Sequence, residues 1–152
     1  MEVKPAKKRK GIYKYVVRED LIYRIYLSNI EFENSWLSIK SDGKLTVKGS
    51  NGQGYAWDGC TPKWNVLDIV LIGTPDGRVI VNTGKPITYY ASLIHDILLQ
   101  FRSDIGISRK DADRIFLEYL GDFDLRYVYY IAVRSYGMLS DIWARVTQML
   151  TR

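Results

Sequence analysis

The hydrophobic period of this chain changes once, at Pro86, and that change restricts the fold more than any other feature. Before it the pattern is that of strands. Leu21-Ile22-Tyr23-Arg24-Ile25-Tyr26-Leu27 is rich in β-branched and aromatic residues, which suit a pleated, half-buried surface. Residues 36–40 and 44–48 flank Ser41-Asp42-Gly43, a hairpin turn signal. Residues 66–72 and 78–81 read as two further strands around Gly73-Thr74-Pro75-Asp76-Gly77. After Pro86 the spacing predicts helices over about 89–101, 109–120, 125–136 and 139–150, with Ser108 as an N-cap and Gly137 as a stop. Strands first and helices after give an α+β domain: mainly antiparallel β hairpins, then a C-terminal bundle of about four helices. We divide the chain into a basic arm (1–11) and one domain (12–152), β-rich over 12–85 and helical over 86–152.

Composition narrows the chemistry. Cys60 is the sole cysteine, so no intrachain disulfide forms and the chain is expected either to mature in a reducing compartment or not to depend on oxidation. No secretory signal follows the basic start, and no apolar run is long enough to cross a bilayer. The net charge is +5, and Lys4, Lys7, Lys8, Arg9 and Lys10 crowd the first ten residues. This arm reads as a solvated tail or as a grip on an anionic partner, either nucleic acid or a lipid surface. One histidine excludes an intrachain two-histidine zinc site, and one cysteine excludes a cysteine zinc cluster. There is neither a phosphate-binding glycine loop between strand and helix nor a nucleophile-elbow serine.

What remains is carried by carboxylates and one imidazole. On the second helix Ala112, Ile115, Phe116, Tyr119 and Leu120 form the inward arc, and Asp113 falls inside it. An inward carboxylate costs several kcal/mol unless it is well paired. A structural partner (a backbone N–H, a Tyr or an Arg) would satisfy it. His95 on the preceding helix would satisfy it too, at the border of an arc of Ile94, Ile97, Leu98 and Phe101. Asp113 would then hold the imidazole while its other nitrogen works on a water. Asp96 points about a quarter-turn away, placed to bind a hard cation such as calcium with oxygens from Asp58 and Gly59. A thiol pair of Cys60 with His95 has no support beyond the presence of both residues. The helix over 125–136 is apolar almost all round, as a helix buried from most sides would be. The last helix carries a stripe of Met138, Ile142, Val146 and Met149, expected to pack on the core, with a partner or membrane face as the other reading.

Four motifs in order resemble a family of phage and prophage proteins known as a domain of unknown function: Trp57-Asp58-Gly59 with Thr61, the run Tyr90 through Asp96, Ser108-Arg109 with Ala112-Asp113 and Phe116, and Ala132-Val133-Arg134 with Gly137. The resemblance spans roughly residues 55 to 137. It implies a viral origin, a location in the virion or the host cytoplasm, and other phage proteins as partners. Three of these motifs are also similar to the phospholipase A2 group, especially its bacterial and fungal branch. That similarity implies His95 as general base, Asp113 as its orienter, and Asp96, Asp58 and the Gly59 carbonyl as calcium ligands. The chain departs from that group in lacking disulfides, in carrying Leu99 where an aromatic is expected, and in a longer insert between Asp58 and His95.

Three readings follow. The first is a small virion, tail or assembly protein, homo-oligomeric or bound to other phage proteins. The second is a calcium-dependent, phospholipase A2-like hydrolase. The third is a nucleic-acid-binding accessory protein using the basic arm, against which stands the lack of aromatics among its cations.

Overall fold

The computed structural model describes residues 15–49, 54–57, 64–66, 70–72, 85 and 88–150. Among the described residues eight short strands precede three helices: β1 (Tyr15–Val16), β2 (Leu21–Arg24), β3 (Phe32–Glu33), β4 (Leu37–Ile39), β5 (Lys44–Val47), β6 (Ala56–Trp57), β7 (Trp64–Val66), β8 (Val70–Ile72), α1 (Tyr89–Ile105), α2 (Arg109–Tyr119) and α3 (Arg126–Leu150). The α+β class holds. Every strand pair is antiparallel, in sheets ordered β2-β5-β4-β3, β1-β6 and β7-β8.

The four-stranded sheet is built around the expected hairpin. Ile39 pairs with Leu45 and Leu37 with Val47, and all four side chains are buried. Gly43 closes the turn at φ +82°, where a Cβ would lie 2.4 Å from the carbonyl oxygen of Ile25. Only glycine fits that combination of left-handed backbone and close approach. The buried face of the sheet packs against Leu93, Ile94, Ile97 and Leu98 of α1 and Ala112 and Ile115 of α2. A smaller cluster of Ala91, Phe116, Leu120, Tyr129 and Val133 joins all three helices.

β2 forms one edge of this sheet, and α2 reaches it. The Tyr119 hydroxyl accepts from the Arg24 N–H at 3.0 Å and donates to the Arg24 carbonyl at 2.7 Å. Ser108 caps α2 as expected, with a full capping box: its hydroxyl accepts from the Asp111 N–H, and the Asp111 carboxylate accepts from the Ser108 N–H. At the other end of α1, Gly106 takes the left-handed cap conformation, φ +80°.

Three expectations change. Residues 66–72 are not one strand, because Val66 ends β7 and pairs antiparallel with Val70 of β8. A buried strand and two short paired strands have the same apolar run. Residues 73–81, the second expected turn and its following strand, lie outside the described residues. The bundle has three helices rather than about four, because α3 runs unbroken through Gly137. There the glycine serves packing: an added Cβ would lie 2.6 Å from Cδ of Arg109. Asp141, one turn further on, holds that arginine with two bonds of 3.1 Å. Finally, α3 is not buried from most sides. Tyr129 and Val133 face the core, whereas Val128, Ile131, Met138, Ile142, Val146 and Met149 are exposed. The described core of sheets, α1 and α2 covers only one side of this helix.

Candidate active site

α1 and α2 are linked by three residues and pack side by side, which places His95 against Asp113. The His95 Nε2 lies 2.8 Å from Asp113 Oδ1. Asp113 Oδ2 accepts from the Arg134 guanidinium of α3 at 3.0 Å. One carboxylate thus joins all three helices. Asp113 is fully buried and His95 is 5% exposed, so both sit where an unpaired charge would be costly. The guanidinium neutralises the carboxylate, and its own side chain is 27% exposed, so it retains part of its hydration.

These contacts fix the histidine tautomer. A carboxylate already bonded by a guanidinium only accepts, so Nε2 carries the proton and donates it. Nδ1 then holds the lone pair. It faces Asp96, whose Oδ1 lies 4.0 Å away, beyond hydrogen-bond reach. The Asp96 side chain is 25% exposed, whereas the imidazole beside it is buried. Phe116, one turn after Asp113, lies against the imidazole with ring centroids 5.1 Å apart.

The other side of α1 is set by Trp57. Its indole N–H donates to the Ser92 hydroxyl at 3.3 Å, and that hydroxyl donates to the Tyr89 carbonyl at 3.0 Å. Tyr15, Trp57 and Tyr89 form a ring cluster with centroids 4.8 to 5.3 Å apart. Trp57 therefore anchors the β1–β6 pair one turn before His95. His95, expected at the border of the apolar arc of α1, is buried, with Phe116 against its ring.

The structure brings His95 and Asp113 together, with Asp96 beside them. Asp58, Gly59 and Cys60 lie outside the described residues, as do Lys4, Lys7, Lys8, Arg9 and Lys10. Among the described residues no three His, Cys, Asp or Glu side chains are grouped to hold a metal ion. Calcium takes about six to eight oxygens, so the described donors do not make a calcium site, and no step below is routed through one.

Arg134 is the member that sequence reasoning missed. Its signal was a lone cation inside the apolar stretch of α3, where a charge needs a buried partner as much as Asp113 does. Among the described residues, no helix is long and apolar enough to cross a membrane. No protein-family model, curated protein or solved structure matches this chain.

Proposed function

We propose that this chain is a hydrolase in which His95 is the general base and Asp113, backed by Arg134, positions it. Its proposed substrate is a phospholipid ester. The observation that carries this reading is the 2.8 Å bond from Nε2 of His95 to a fully buried carboxylate of the next helix. Nδ1 of the held ring takes a proton from a water. The oxygen of that water adds to the ester carbonyl, and the imidazolium returns the proton to the departing alcohol oxygen. The products are a fatty acid and a lysophospholipid. The ester substrate rests on the similarity to the phospholipase A2 group at His95, Asp96, Asp113 and Phe116.

The test is fatty-acid release from phosphatidylglycerol or phosphatidylcholine vesicles, with added calcium and with a chelator. General-base catalysis contributes roughly a factor of 10² to 10⁴. His95→Asn and Asp113→Asn should therefore lose about a hundredfold or more, while Cys60→Ser keeps the full rate. Absence of release by the wild type in both conditions, or release undiminished in folded His95→Asn, would overturn the reading.

A second reading, a virion, tail or assembly component of a phage, is favoured by the apolar residues that α3 leaves exposed. The two are compatible, since a virion component can carry an enzymatic site.

A further inference from the structure

We infer that Asp96 holds the attacking water, accepting one of its hydrogens while Nδ1 of His95 takes the other as a proton. This rests on the hydrolase reading above, in which His95 is the general base.

The two carboxylates beside the imidazole are placed differently. Asp113 is fully buried, and both its oxygens are engaged, Oδ1 by Nε2 of His95 and Oδ2 by Arg134. Asp96 follows His95 on α1, and its Oδ1 lies 4.0 Å from Nδ1. With the proton on Nε2, both of these facing atoms are acceptors. Two acceptors repel unless a donor stands between them, and a water supplies two donors. The distance agrees, being too long for a direct bond and of the size that one water spans. A water about 2.8 Å from each atom subtends about 90° at its oxygen, close to the angle between its two O–H bonds. Calcium would need about six to eight oxygens, of which Asp96 supplies two at most. Among the described residues no three His, Cys, Asp or Glu side chains are grouped to complete the set.

The step follows from this placement. With its hydrogens on Asp96 and on Nδ1, the water turns its lone pairs away from both. Nδ1 takes one proton as the water oxygen bonds to the ester carbonyl carbon. The second hydrogen stays on that oxygen and leaves with the fatty acid. The imidazolium, flanked by Asp113 and Asp96, passes its proton to the alcohol oxygen as the ester C–O bond breaks.

The test is kcat and KM for fatty-acid release from phosphatidylglycerol vesicles, in calcium and in chelator. The wild type should turn over equally in both. Misplacing a reacting group by about 1 Å costs roughly a hundredfold, so Asp96→Ala should lose about that much in kcat with KM little changed. Asp96→Asn keeps the Oδ1 acceptor and should recover most of the rate. His95 is the sole imidazole of the chain, so magnetisation transfer from water to its Hε1 proton is readable by NMR without turnover. It should be present in the wild type and Asp96→Asn and absent in Asp96→Ala. Full rate in Asp96→Ala overturns the inference. So does release that needs calcium and is lost as completely in Asp96→Asn as in Asp96→Ala, which would make Asp96 a metal ligand. An inactive wild type removes the hydrolase reading and this inference with it; an active wild type with either of those two results removes the inference alone.

Discussion

At Asp113, one buried side chain serves two cationic or proton-donating neighbours from different helices. The carboxylate takes Nε2–H of His95 on one oxygen and the Arg134 guanidinium on the other. Removing one member of a buried charged network strands the rest, at a cost of about 3–5 kcal/mol. Asp113→Ala should lower the unfolding free energy by about that much in urea titrations. A loss below roughly 1 kcal/mol, the range of a surface pair, would show that the network contributes little to folding. The His95–Asp113 contact was legible because an acid sat inside an apolar arc on a helix next to the sole histidine. Arg134 was not, because nearly every neighbour on its helix is apolar and periodicity does not say which side faces the core. Asp96, read as a quarter-turn from His95, lies 4.0 Å from its Nδ1.

At the scale of the element, α3 shows how one residue type can carry opposite meanings. Glycine after an apolar run reads as a helix stop, yet Gly137 lies mid-helix because the Arg109 side chain crosses it. In a helix interior Gly→Ala ordinarily stabilises by about 0.8–1.0 kcal/mol. Here the Cβ meets an arginine held by Asp141, and overpacking of this kind costs about 1–3 kcal/mol. Gly137→Ala should therefore destabilise, with a lower urea midpoint. In an Arg109→Ala background the same change should stabilise; a gain in both backgrounds would show that the arginine gives way freely. The capped start of α2 was legible at Ser108, since capping is a local hydrogen bond within four residues. The merging of two expected helices was not, because it depends on a partner 28 residues earlier in the chain.

At the scale of the whole molecule, three carboxylates are held below their ordinary range by partners that exist only in the fold. The Arg109 guanidinium lowers Asp141, and the Ser108 hydroxyl lowers Asp111. The hydrogen bond from Lys48, followed by that from Ser38, brings Glu33 to about 2 from an ordinary 4.5. A depressed carboxylate binds fewer protons folded than unfolded, so its contribution is present above the ordinary value and is lost as pH falls through the folded one. Stability should therefore decline from about pH 4.5 toward pH 2, read as a falling urea midpoint; a flat midpoint across that window would show these pairs to be inert. The α+β order was legible because the hydrophobic period itself changes at Pro86. The number of sheets and the splitting of 66–72 were not, since strand pairing is decided by residues far apart in sequence.

Tyr119 has one consequence at this largest scale. Its hydroxyl fills both the donor and the acceptor that Arg24 presents at the outer rim of β2. A rim with open backbone groups invites another chain to extend the sheet, the first step toward amyloid-like stacking. With that rung already taken by a phenol from α2, end-on polymerisation through this margin is obstructed for as long as the helix stays in place.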